Sequence, residues 1–457
     1  MSHRVCAPVR VVALLIWSVI LSAAAPCQEA KPPAPEQKRA IPAASLAVGL
    51  SLQHPDFSRP KIMLDLDVPA ADFAPSIVWV PVRAAVPPTA SDELVVAAVG
   101  DIMLGSTFPD TTGNSLPPED GVHLLDEVAP LLKSADLAIG NLEGPLYDGA
   151  EPSAKCAHKA EGTCYAFRVP TRYAKLLADS GFVAMGVANN HANDFGPAGQ
   201  QSSVMALTSV GIAQSGATGS VAHFSIKGKK VSYIAFATYP QFNNLLDLDA
   251  ATELVRAEAQ SADFVIVSFH GGGEGADRQH VLSGDETFLG EDRGDLRRFT
   301  HAMIDAGAAM VFGHGPHVVR GMEIYKDHLI AYSLGNFATY GHINLRGVNG
   351  LTLVLAARLG DGGKFLGGKI VPAFQPYPGG PRLDPDGRIF NVVRSLSDAD
   401  FGRAAVTVAT DGTIISPVAP AVVSNPSVIP LAAPGPGEGR QRDRRDGRSH
   451  AGDHAEE

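Results

Sequence analysis

The feature that most constrains this chain is a series of short apolar runs that stop at residues able to bind a metal or move a proton. Residues 94–99 form a continuous apolar run, as expected of a strand buried on both faces. Similar runs occur at 135–139, 183–187, 231–237, 264–269, 308–312 and 329–333. Segments with apolar residues at three and four spacing lie between several of them, at 124–132, 172–180 and 294–306, and predict helices. Strand–helix alternation of this kind predicts a layered α/β core, and residues 351–413 read as further strands and turns that close it.

The ends of the runs carry the chemistry. Val99 is followed by Gly100-Asp101, and Ile139 by Gly140-Asn141-Leu142-Glu143. Val187 is followed by Ala188-Asn189-Asn190-His191, Phe269 by His270, and Phe312 by Gly313-His314-Gly315-Pro316-His317. In a sheet of parallel strands such ends gather on one edge, where ligands bind. Carboxylate, carboxamide and imidazole donors suit a hard or borderline divalent ion such as Mn, Fe, Zn or Mg. Glycine before Asp101, Asn141 and His314 leaves room for the backbone to approach that site.

The rest of the 457 residues frames this core. Arg4 and Arg10 precede a mostly apolar stretch at 11–25 that ends in Ala23-Ala24-Ala25, the pattern of an export signal or an N-terminal anchor over 1–25. Residues 26–90 form an Ala- and Pro-rich linker with one short strand expected near Ile77-Val78-Trp79-Val80. The strand-and-helix domain occupies 91–420, and 421–457 is too polar to bury, which predicts a disordered tail. A net charge of −11 argues against a broad nucleic-acid surface, which needs clustered Lys and Arg. Export would place the protein in the periplasm or at the cell surface, where Cys156 and Cys164 could close a short disulfide.

At the strand ends the sequence resembles the CapA family, the poly-γ-glutamate capsule biosynthesis domain. The matching stretches begin with Val99-Gly100-Asp101-Ile102-Met103-Leu104-Gly105, Asn141-Leu142-Glu143-Gly144 and Ala188-Asn189-Asn190-His191 with Asp194 and Gly196. They continue with His270 and Glu274, the Gly313-to-His317 block, Glu323, and Tyr332-Ser333-Leu334-Gly335-Asn336-Phe337. The family is similar in turn to calcineurin-like metallophosphatases, which implies one or two divalent ions held in a metallophosphatase-like core. Carried over block by block, the resemblance makes Asp101, Glu143, Asn190, His270, His314 and His317 candidate metal ligands. It makes His191 the candidate general acid, with Asp194 and Glu323 orienting imidazoles.

Three departures stand out. Metallophosphatases begin with Asp-x-His, but Met103 stands at the histidine position, which removes one expected ligand. The histidine of the next block is usually followed by Trp-Gly-x-Glu; here it is followed by Gly271-Gly272-Gly273-Glu274, which predicts a more open, flexible wall. Gly315-Pro316 separates His314 from His317, so spacing does not decide which one meets a metal. The resemblance implies a cell-envelope protein of capsule or poly-γ-glutamate biosynthesis or export. It would be a metal-dependent hydrolase or transferase acting on a phosphoester or an anionic polymer linkage. The alternative is a non-catalytic, polymer-binding accessory subunit of a membrane synthase. Nucleotide hydrolysis would require a base-stacking clamp, for which Tyr239, Phe242 and Tyr340 are the candidates.

Overall fold

Strand residues alternate their side chains between two faces, so a strand that is apolar throughout must be covered on both. In the computed structural model this requirement is met by two sheets stacked face to face, with helices on the outside. The structure describes residues 80–81, 93–109, 115–153, 155–157, 164–341 and 343–417. The expected signal, nearly all of the linker and the tail lie outside the described residues. So does His342, in the Gly341–Gly347 loop.

The larger sheet is built around the Leu94–Met103 strand. On one side run Leu137–Leu142, Ala184–Gly186 and Ala213–Ser215, all parallel. On the other side, Leu351–Leu359 pairs with it antiparallel and leads to Phe365–Phe374. Asn336–Thr339 pairs parallel with its last residues, setting Asn336 against Asp101. The smaller sheet contains the parallel series Lys229–Ala237, Phe264–His270, Met310–His314 and His328–Ala331. A two-residue strand, Val80–Pro81, lies at the end of the stretch expected to hold one and pairs with Ala222–Ile226.

Val96 and Ala98 pack with Tyr233, Ala235, Ile266 and Phe312 in the core between the sheets. Their neighbours Ala97 and Val99 face outward onto Tyr173, Leu177 and Leu207 of the helices Tyr173–Asp179 and Gly196–Ser209. On the opposite outer face, Ile234, Val265 and Val267 meet Val255, Phe299 and Met303 of Leu248–Ala259 and Leu296–Ala306. The order helix, sheet, sheet, helix follows from these contacts.

Two expectations change. The helix expected at 124–132 is confined to Ala129–Ser134, with turns before it. Pro130 lies in its first turn, lacks an amide hydrogen and blocks extension of the helix upstream. Within 351–413, where strands and turns were expected, the chain also forms the helix Arg388–Phe401. Its Ile389 and Val393 sit at i,i+4 and close the core between the sheets.

Candidate metal centre

The strand ends meet at the seam between the sheets. Asp101 lies near the end of the central strand of the larger sheet and is fully buried. Beside it in register is Asn141, and Glu143 follows two residues later on the same side of the extended chain. From the smaller sheet come His270 and His314, which are cross-strand partners. The central strand approaches the Leu334-Gly335 turn so closely that a Cβ on Gly100 would lie 1.9 Å from the Gly335 carbonyl oxygen. Gly100 therefore provides space here, and Asp101 N donates to that same carbonyl at 2.9 Å.

Asp101, Glu143 and His317 offer ligand atoms that all lie within 4.8 Å of one another. His317 Nδ1 is 3.3 Å from Asp101 Oδ2, and its Nε2 is 3.6 Å from Glu143 Oε1. The His317 backbone has φ +58°, a left-handed conformation that costs a non-glycine residue energy and is found at functional sites. Asn336 holds it there: His317 Nδ1 lies 2.9 Å from Asn336 Oδ1, and Asn336 Nδ2 donates to the His317 carbonyl. His270 is next to the cluster, its Nδ1 3.8 Å from Asp101 Oδ1.

A relay of amides fixes Asp101. Asn189 Nδ2 donates to Asn141 Oδ1 at 3.1 Å, which turns Asn141 Nδ2 toward Asp101 Oδ1 at 2.8 Å. The His191 backbone amide in turn donates to Asn189 Oδ1. His191 itself is buried, with Nδ1 2.8 Å from Asp194 Oδ2 and its ring against Phe167. Lys155 Nζ completes this corner, 3.1 Å from Asp194 Oδ1. Lys155 directly precedes Cys156, which forms a disulfide with Cys164.

Buried polar atoms without partners mark where a ligand belongs. Among the described residues, both carboxylate oxygens of Glu143 are buried without a hydrogen bond, as are His270 Nε2 and Asn190 Oδ1. A divalent cation would satisfy the Glu143 oxygens beside Asp101 and His317, so these residues fit the ion that the strand-end pattern implies. His314 is not brought into the cluster: its Nδ1 and Nε2 each lie 3.2 Å from a backbone carbonyl, those of Phe269 and Val99.

Charge crowding sets the protonation of the cluster's own side chains. Burial would raise Asp101, but the hydrogen bond with His317 and the charges of His270, His317 and His314 outweigh it, holding the carboxyl well below its usual range. Burial pushes Glu143 from 4.5 up to about 8, with Asp101 and Glu274 adding to the rise against the His317 charge. Burial would lower His317, yet Glu143, Asp101 and Glu274 carry it from 6.5 to about 10. Glu143 and His317 titrate as a linked pair. Both have raised folded-state values, so each contributes stability at low pH and loses it as pH climbs, Glu143 from 4.5 to about 8 and His317 from 6.5 to about 10. Asp101 has the opposite sign and matters only in strong acid. The metal-free protein is therefore expected to lose thermal stability between roughly pH 6 and pH 9, and added Mn or Zn should restore it most at the alkaline end. Scanning calorimetry across that range checks this; a flat metal-free profile would contradict it.

A family model described as bacterial capsule synthesis protein PGA_cap matches residues 95–340, and every residue of this cluster lies inside the match. The chain belongs to the PGA_cap family. The capsule biosynthesis protein CapA of Bacillus anthracis is 26% identical over 293 residues, covering 57% of this chain and 64% of that protein. The PGA biosynthesis protein CapA of Bacillus subtilis is 26% identical over 272 residues, covering 54% and 64%. The match thus spans about two thirds of the length of either CapA. A probable polyglutamine synthesis accessory protein of Mycobacterium tuberculosis is 30% identical over 178 residues, covering 33% of this chain and 43% of that one. Among solved structures, a Staphylococcus aureus 5′-nucleotidase shows a TM-score of 0.39 at 14% identity, covering 67% of this chain and 58% of that one. At those values the likeness bears on neither activity nor substrate.

Several residues of this PGA_cap site were not singled out as site residues by the strand-end pattern. Asn141 and Asn189 sit within the quoted stretches, but only the register shows that they link to Asp101. Asn336 belongs to a matched block and gains its role only beside His317. Arg293, whose Nη1 lies 2.9 Å from Glu274 Oε1 beside His317, comes from a hairpin, Glu286–Phe288 with Glu291–Gly294, that carries no matched motif. The wall expected to be open after His270 is instead tightly packed. Gly272 N donates to the Arg293 carbonyl, and a Cβ on Gly272 would meet Leu296 and Arg320 at about 3 Å. Glu323 orients no site imidazole; it binds His301 and the Tyr332 hydroxyl on the outer face of the smaller sheet. Of the aromatic clamp candidates, Phe242 is a core residue and the Tyr239 hydroxyl donates to Glu291.

Proposed function

We propose that this PGA_cap protein is a metal-dependent hydrolase or transferase of the cell envelope, acting on a phosphoester or on a linkage of an anionic, capsule-like polymer. The observation that carries the reading is the pair of buried, unpartnered Glu143 oxygens beside Asp101 and His317. Asp101, Glu143 and His317 would hold the cation, with His270 beside them. A bound divalent ion there would polarise a phosphoryl or acyl oxygen and acidify water.

The protein's own residues supply the remaining roles. Asp194 engages His191 Nδ1, which leaves Nε2 as the ring atom able to pass a proton to a leaving oxygen. Burial lowers the His191 pKa, with Asp194 opposing that and Lys155 and His317 adding to it, so a protonated ring gives up its proton readily. Export to the periplasm or cell surface accords with the Cys156–Cys164 disulfide, which persists in an oxidising compartment.

A second reading, a non-catalytic accessory subunit that binds polymer beside a membrane synthase, is favoured by two observations. Met103 takes the place of an expected histidine ligand, and both His314 ring nitrogens face backbone carbonyls, to one of which the neutral ring donates. The test is turnover by the purified protein, supplied with Mn or Zn, of aryl phosphoesters and of poly-γ-glutamate. Turnover abolished by His191→Ala supports the enzyme. Metal binding without turnover of either substrate would favour the accessory role.

A further inference from the structure

Arg293 is a large cation built into the wall of this cluster. It is 1% exposed, and its Nη1 is 2.9 Å from Glu274 Oε1, whose other oxygen is 3.7 Å from His317 Nε2. Its remaining donors, Nε and Nη2, are buried and have no hydrogen-bond partner among the described residues. A guanidinium presents five N–H donors in a fixed fork, and leaving some of them unmet in a dry site is costly. The backbone on either side locks it in place: the Arg293 carbonyl accepts from Gly272 N. On the side chain's other flank, a Cβ on Gly315 would lie 3.3 Å from Nη2. That same Gly315 amide faces Asp101 Oδ2, 3.4 Å away.

Unmet donors on Arg293 and unmet acceptors on Glu143 therefore border one cluster without meeting each other. A cation alone satisfies the Glu143 oxygens and leaves Nε and Nη2 of Arg293 unmet. An anion alone does the reverse, leaving both Glu143 oxygens unmet beside Asp101 and Glu274. A cation carrying an anionic ligand satisfies both sets at once, with the anion's oxygens between the metal and the fork of Arg293.

We propose that Arg293 is a substrate-binding residue that takes an oxyanion, phosphoryl or carboxylate, at the edge of the Asp101–Glu143–His317 cluster. The inference deepens the proposed function and rests on that reading for the cation. Glu274 acts here as a positioning residue, holding Nη1 so that Nε and Nη2 stay directed away from it. The fixed fork suits a two-oxygen contact, so lysine is expected to substitute only in part.

The test uses the full chain and begins with Mn titrated alone by calorimetry. The Mn-supplemented protein is then titrated with inorganic phosphate and with γ-glutamyl-glutamate, as wild type, Arg293→Lys and Arg293→Met. The Arg293→Met/Glu274→Gln double variant accompanies them, because Arg293→Met alone leaves a half-buried carboxylate unpaired at a cost to folding. We expect one of the two anions to bind the wild type, to weaken about 10- to 100-fold in the methionine variants, and to weaken less in the lysine variant. Phosphate as the binder assigns a phosphoryl substrate; the dipeptide assigns a polymer carboxylate. Equal affinity in the wild type and the folded methionine variants, or no anion binding to the Mn-loaded wild type, overturns the role of Arg293. Failure of Mn to bind overturns the cation site instead, and the first titration shows that separately.

Discussion

Replacing Arg320 with alanine is expected to destabilise the protein by about 3–5 kcal/mol, the cost of removing one partner from a buried ion pair. Arg320 is fully buried, and its Nη1 and Nη2 each lie 2.8 Å from one of the two Glu286 oxygens. Its Nε also donates to the Arg278 carbonyl and its Nη2 to that of Gly273, so truncation would orphan several acceptors together. Glu286 Oε2 accepts the Gly273 amide as well, which means the pair anchors the glycine turn between His270 and Glu274. A shift in urea midpoint at unchanged slope would measure the loss. The double variant Arg320→Met/Glu286→Leu should recover only part of it, because it strands neither charge but leaves the Gly273 and Arg278 backbone groups unpaired. A single variant with wild-type stability would show that the pair does not hold this turn.

Glu143→Gln should have effects of opposite sign on stability and on metal binding. Burial holds the Glu143 carboxyl up at about 8, so ionising it in the metal-free fold costs free energy that glutamine never incurs. At about pH 9 the metal-free variant is expected to be more stable than wild type by up to a few kcal/mol, and the difference should vanish near pH 5. With Mn or Zn the order reverses. Glutamine has no charge to offer a cation, and affinity should fall by about 100-fold or more. Paired melting curves, with and without metal at both pH values, read all four terms. A metal-dependent rise in melting temperature equal to that of the wild type would remove Glu143 from the ligand set. Residues that serve a site at the expense of the fold behave in this way.

What the chain reveals before folding is the set of components. Buried strands must be apolar on both faces, so runs such as 94–99 and 264–269 are visible without coordinates, and so are the polar residues where each run stops. Asp101, Glu143, His270 and His317 are legible for that reason. The helix Arg388–Phe401 was less so, because an i,i+4 apolar pattern among turn residues also fits short strands.

The assembly is decided only in three dimensions. Parallel register sets Asn141 beside Asp101, and the stacking of two sheets brings Val99 O within 3.2 Å of His314, leaving that histidine to backbone carbonyls rather than to the cluster. His317, three residues later, is turned into the cluster by a left-handed backbone and by Asn336, neither of which has a signature in local spacing. Arg293 enters from a hairpin with no motif, because its role depends on which carboxylates it meets across the seam. Strand ends identify the residues able to hold a cation, since burial and periodicity are local properties of the chain. Which of them meet, and which charge stands opposite, depends on contacts between residues far apart in sequence, and the packing of the two sheets fixes those.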